Sequence, residues 1–441
     1  MTSTRQLGLG MATALVVGNT IGMGIFMQPA ALAPFGLNAL TGWIAVIVGC
    51  VCLAISFAAL ARKLPQADGP FGYVRSTLGE SLAFPVLWSY WISCWVTLPV
   101  LAIGTTGYFL NVFPALRGVP SAVIAVAFMW VFVGVNLLGV RSGGRVQVVT
   151  SLLKVVPLIL VTVVGGVSIL SSPGNYTSNL PTNPITLHAS MGAAAVALYT
   201  MLGFESAAVA ASRVTNPEKT IPRATLIGIL FVGIVYVAAV TIGILVVPQA
   251  TLATSDAPFV TILDHLISPG NGRWLSLFIV ISGLGCLNGW TLLSAELTRT
   301  LAMHRLLPEV LGESNRYGVP WASLLLAGAL ATAVGLMNYT SSLVGAFTKL
   351  SLIVSAANLP LYVCCSLALF YLLRKSPAGL SPALWLAGLG GVAFAAFAFF
   401  GVGWEPFIWA LALCAAGVPI YFYMRRRHPD DGAAASAAGS T

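Results

Sequence analysis

Apolar runs of about twenty residues recur twelve times along this chain, and that is the length a helix needs to cross the hydrocarbon core of a bilayer. The runs cover 9–30, 38–60, 82–112, 120–139, 146–171, 189–212, 224–248, 272–302, 319–338, 342–372, 381–401 and 404–424. Only 7% of the 441 residues are charged, against about 25% in soluble domains. The pattern predicts an all-α polytopic membrane protein with 12 transmembrane helices. The runs 82–112 and 272–302 exceed the bilayer, so they tilt or project into the cytoplasm. The seven cysteines fall inside the runs and read as small apolar residues, with no metal or disulfide set. The first run, with its glycines and Asn19, is not read as a cleaved signal peptide.

The net charge of +9 is distributed, and its distribution excludes nucleic acid as a partner. With the N-terminus inside, 17 of the 21 basic residues fall on cytoplasmic segments, from Arg5 to the Arg425–Arg427 cluster. Arg117 and Arg273 lie outside, and Lys154 and Lys349 lie within spans. Basicity here sets topology, and both termini are expected to be cytoplasmic. Residues 1–425 read as one transmembrane domain, and 426–441 as an Ala/Gly/Ser-rich cytoplasmic tail expected to be disordered.

Within the first run stands Gly18-Asn19-Thr20-Ile21-Gly22-Met23-Gly24-Ile25-Phe26. Each glycine costs a helix about 1 kcal/mol relative to alanine, and an opened backbone in lipid must find new partners. Two readings compete: close helix packing, or a deliberately broken helix of the kind that forms transporter sites. A second interruption five runs later, Tyr199-Thr200-Met201-Leu202-Gly203-Phe204-Glu205-Ser206, favours the break. Runs 1–5 and 6–10 then form two inverted repeats (about 9–171 and 189–372), with 381–424 as two added helices. A half-helix N-terminus suits a carboxylate and a C-terminus an ammonium. A molecule carrying both on one carbon is an α-amino acid.

Four stretches carry a resemblance: Gly18 to Phe26 with Pro29, Gly203-Phe204-Glu205-Ser206, Asn216 to Ala224, and Gly289-Trp290-Thr291-Leu292-Leu293. Through them, and from about residue 7 to 425, the chain resembles the amino acid–polyamine–organocation (APC) superfamily. Its nearest likeness is to the bacterial arginine/agmatine antiporters. The resemblance implies the bacterial leucine-transporter fold with broken helices 1 and 6. It implies amides of Met23, Gly24 and Ile25 on the substrate carboxylate, and carbonyls of Thr20, Tyr199 and Leu202 on its ammonium. It sets Trp290 against the substrate side chain, puts Tyr199 where those antiporters have an outer-gate tryptophan, and implies a bacterial inner membrane; Tyr90, as an intramembrane aromatic, is a further candidate for the pocket or a gate. Leu98 stands where they carry asparagine and Met23 where they carry serine, which leaves the cargo open.

Glu205 has three competing roles: pairing with a cationic substrate, proton-linked gating as in the antiporter branch, or a protonated structural donor. Lys154 departs from the antiporters, which carry a small apolar residue there, and matches sodium-independent relatives that place a lysine at this point. Burial favours the neutral amine, so Lys154 is read as a proton carrier, a fixed cation, or a carbonyl-satisfied structural residue. Glu296 is expected to pair with nearby arginines, and Lys349 to reach the outer interface.

The function implied is secondary active transport of amino acids or their amine derivatives by alternating access, foremost as an exchanger. A proton-coupled or facilitated carrier of neutral amino acids is the alternative. A membrane enzyme or sensor is disfavoured: there is no Walker motif, the four histidines are dispersed, and no metal spacing or cofactor motif appears. Expected partners are the small-molecule substrate, protons and the bilayer, with oligomeric state open and a homodimer among the options.

Overall fold

Each of the twelve apolar runs carries a helix. The computed structural model describes residues 8–64, 66–67, 69–139, 144–204, 216–270, 272–339, 342–375 and 381–427. The first helices are α1 (Leu9–Thr20), α2 (Gly24–Leu32), α3 (Asn38–Lys63), α4 (Gly69–Leu78) and α5 (Glu80–Val112). Then follow α6 (Ser121–Leu137), α7 (Gly144–Ser171), α8 (Leu187–Met201) and α9 (Pro217–Val246). After two short outer helices, α10 (Gln249–Ala253) and α11 (Pro258–Leu266), come α12 (Arg273–Met303) and α13 (Trp321–Met337). The last are α14 (Leu343–Lys375), α15 (Pro382–Gly401) and α16 (Trp404–Arg427). Proline at the first position starts α9, α11 and α15, where its missing N–H costs nothing.

Among the described residues, eight helices are long and apolar enough to cross a membrane, or nine when α1 and α2 count as one bent span. Three further apolar helices, α6, α8 and α13, are shorter, at 17, 15 and 17 residues. The architecture is therefore an all-α polytopic membrane protein. The run containing α8 continues into 205–215, which lies outside the described residues.

The two long runs form continuous helices of 33 and 31 residues, α5 and α12. At 1.5 Å per residue α5 extends about 50 Å, well beyond a hydrocarbon core of about 30 Å. It is also the central post. Its most apolar window is 94% buried, against 17% for α16, and α12 and α14 pack along it. The peripheral helices turn large apolar side chains such as Leu411 and Phe422 outward. Lipid tails are as apolar as these side chains, so helix association depends on close packing through small residues. Gly42 of α3 shows this: a Cβ there would stand 2.8 Å from Ala193 of α8.

The first span breaks where the glycines predict. Leu9–Thr20 and Gly24–Phe35 meet at 51° across a three-residue gap. Every residue of α2 is buried, and side chains of its neighbours anchor it. Tyr108 of α5 donates to the Phe26 carbonyl at 2.7 Å and accepts from the Phe259 amide at 3.1 Å. Gln28 donates to the Val196 carbonyl of α8, and Phe26 meets Phe259 edge-on at 5.1 Å. The half-helix is thus a rigid piece, positioned independently of α1.

Candidate functional site

An opened helix exposes carbonyls at the end of one half and amides at the start of the other. Here α1 ends at Thr20, and α2 begins at Gly24 with its first-turn amides directed back into the gap. Tyr236 of α9 stabilises the opened turn. Its hydroxyl donates to the Thr20 carbonyl at 3.2 Å and also faces the Gly22 backbone. Trp43 of α3 packs edge-on to the Tyr236 ring at 5.6 Å, fixing its position. No sequence motif pointed to Tyr236, a single tyrosine inside an apolar run. Tyr236→Phe is expected to cost about 1 kcal/mol, the usual worth of one hydrogen bond. It should appear as a lower Tm of the purified protein, and an unchanged Tm would remove Tyr236 from this role.

The helix α8 also stops mid-run. Leu202 is extended, its amide donating to the Tyr199 carbonyl at 3.3 Å, and Gly203 has φ +103°, a conformation that L side chains rarely adopt. A Cβ on Gly203 would lie 2.9 Å from the Asn19 carbonyl oxygen. The interruption after α8 and the end of α1 are therefore in direct contact. At the other side of the gap, a Cβ on Gly24 would lie 2.8 Å from both Thr200 Cγ2 and Tyr199 Cε1. The α2 N-terminus consequently sits against the α8 C-terminus through Gly24, while Gly203 lets the chain after α8 meet the end of α1.

Between these ends lies a small cavity of about 20 Å³. Asn19, Thr20, Gly22 and Gly24 line it from the first break, and Tyr199, Thr200 and Leu202 from the end of α8. Thr97 and Leu101 of α5 and Trp290 of α12 close the remaining sides. Amides at a positive dipole end and carbonyls at a negative one thus border one small space. Tyr199 packs edge-on to Phe347 of α14 at 5.9 Å.

Of the residues named from sequence, Thr20, Gly24, Tyr199, Leu202 and Trp290 share this cavity. Met23, Ile25 and Leu98 are buried beside it but are not among its lining residues. The Met23 side chain fits between α5 and α12, where a Cβ on Gly104 or Gly283 would meet it at 3.3 and 3.0 Å. Leu98 is one position from Thr97 and so faces a different way. Thr97 and Leu101, four apart on one face of α5, were missed. Tyr90 lies two turns from Thr97 on that face, with its carbonyl accepting from Ser93.

Lys154 is 2% exposed on α7, and among the described residues no carboxylate pairs with it. Glu205 falls outside the described residues. Glu296 stands 3.8 Å from Arg299, and Lys349 pairs with Glu405 at the start of α16.

The sequence profile of the Amino acid permease family matches residues 7–415. The chain is 30% identical over 375 residues to the cadaverine/lysine antiporter of Escherichia coli (strain K12), covering 83% of each. It is 31% identical over 335 residues to the arginine/ornithine antiporter of Pseudomonas aeruginosa, covering 74% of this chain and 69% of that one. It is 24% identical to the putrescine transporter PotE of Escherichia coli (strain K12), over 96% of this chain and 99% of that one. Among solved structures, the Eremococcus coleocola manganese transporter shares the fold, with a TM-score of 0.52 at 13% identity over 94% of this chain and 93% of that one.

Proposed function

This chain belongs to the amino acid permease family, and from that premise we propose how it works as a secondary transporter of amino acids or polyamines. The cargo is an α-amino acid exchanged for an amine, as the name of the cadaverine/lysine antiporter describes for that relative. One observation carries this reading: the amide end of α2 and the carbonyl end of α8 border the same cavity. The Gly24 amide, with those of Met23 and Ile25 on either side of it behind the cavity wall, takes the carboxylate, and carbonyls of Thr20, Tyr199 and Leu202 take the ammonium.

Alternating access then moves two inverted repeats, 9–171 and 189–372, about breaks in spans one and six. The three shorter apolar helices complete twelve spans, with 381–424 supplying the last two and both termini cytoplasmic. Tyr199 over Gly24 is the outer gate. Tyr90, with Glu205, belongs to the opposite one. Lys154 is the coupling cation of α7.

A carrier of neutral amino acids is the second reading, and the cavity wall supports it. Thr97 and Leu101 offer one hydroxyl and one isobutyl group, and no carboxylate is among the described lining residues. The Trp290 face would attract a distal cation through its π-system, an interaction worth about 2 kcal/mol when desolvated. Counterflow into liposomes loaded with arginine, agmatine, lysine, cadaverine, alanine or methionine separates the readings. Silence across all six would sink transport of this class. Trp290→Leu is expected to weaken cationic ligands about 30-fold, the equivalent of that contact, and neutral ones far less. Wild-type affinity for the cationic ligands in the variant would take Trp290 out of the site.

A further inference from the structure

A second cavity, of about 450 Å³, opens at the end of the bundle away from Arg374, Lys375 and Arg425–Arg427, where α14 and α16 terminate. By the positive-inside topology this is the outer face. Ala30, Ala31 and Phe35 form one wall, at the end of α2, and α14 and the start of α16 form the other. Both members of the Lys349–Glu405 pair line this space.

Two properties make the pair more than a tie between helices. It is partly solvated, the Glu405 side chain being 67% exposed, and pairs of this kind hold little stability. Opened, it presents one cation and one anion side by side against alkyl and aromatic walls. Residues of the two cavities also meet along α14. Phe347, adjacent to Thr348 of the outer wall, packs on Tyr199 of the inner cavity.

We propose that the outer cavity is a second binding site, for a zwitterionic α-amino acid whose carboxylate takes Lys349 Nζ and whose ammonium takes Glu405. It holds the substrate ahead of the Tyr199–Phe347 contact. An amine without a carboxylate engages Glu405 alone. The assignment rests on the transport reading above and adds a site to it.

The test is equilibrium binding to the full-length protein in nanodiscs, with L-lysine and L-alanine as zwitterions and cadaverine as the amine. The wild type is expected to bind two zwitterions per chain, the second more weakly. Lys349→Met and Glu405→Gln each abolish the second zwitterion event and retain the first, while Trp290→Leu retains the second. Cadaverine loses its outer event only in Glu405→Gln. One zwitterion per chain in the wild type would overturn the proposal, as would two in both charge variants. Binding of none of the three probes would overturn the transport reading itself, a result seen in the wild type before any variant is made.

Discussion

Gly24→Ala is expected to lower exchange on the order of 100-fold while the protein remains folded. The added methyl would stand 2.8 Å from Thr200 Cγ2 and 2.8 Å from Tyr199 Cε1, closer than carbon atoms approach without displacement. Neither neighbour yields easily. The Thr200 hydroxyl donates to the Ala197 carbonyl at 2.7 Å, and the Tyr199 ring is packed against Phe347. The first turn of α2 must therefore move, taking with it the amides that face the cavity. A displacement of about 1 Å at a positioned group costs around two orders of magnitude in rate. The rest of α2 stays anchored through Phe26 and Gln28, so the fold survives. Counterflow in liposomes checks the first half of this expectation and a thermal melt the second. Wild-type exchange in Gly24→Ala would mean that the cavity between α2 and α8 is not the transport site.

That site was legible in the sequence to the extent that its backbone has to be unusual. Glycines at 18, 22 and 24 are costly in a membrane helix, so they announce an opened turn, and Gly203 marks the end of α8. The tight contacts of Gly24 with Tyr199 and of Gly203 with Asn19 are the physical reason those positions lack a side chain. What stayed hidden were residues that need nothing unusual. Along α5 every residue from Trp91 to Tyr108 is buried, so periodicity could not say which face meets the cavity. Thr97 and Leu101 were invisible for that reason, and attention fell on Leu98 next to them. Tyr236 reaches the opened turn from a helix more than two hundred positions away. Met23 was read as a pocket wall, yet its side chain occupies the slot left by Gly104 and Gly283. Lys349 was expected at the interface, but its partner Glu405 lies 56 positions on, a separation that no local pattern encodes.

Lys154→Met is the other large effect, and its sign on stability sets it apart from ordinary core substitutions. Removing an ammonium that holds a buried ion pair usually destabilises strongly, because the partner charge is left alone. Lys154 is 2% exposed, and among the described residues no carboxylate pairs with it that its removal would strand. Methionine keeps most of the stem volume and removes a group that is expensive to desolvate. The Tm is therefore expected to hold or rise while net uptake and its pH dependence are lost. Lys154→Arg separates the two functional roles. Arginine stays protonated at every accessible pH, so it retains uptake if position 154 needs only a fixed cation and abolishes it if a proton must leave. A lower Tm with unchanged uptake between about pH 5 and 8, the range over which a coupling proton would register, would make the lysine a structural residue satisfied by backbone carbonyls.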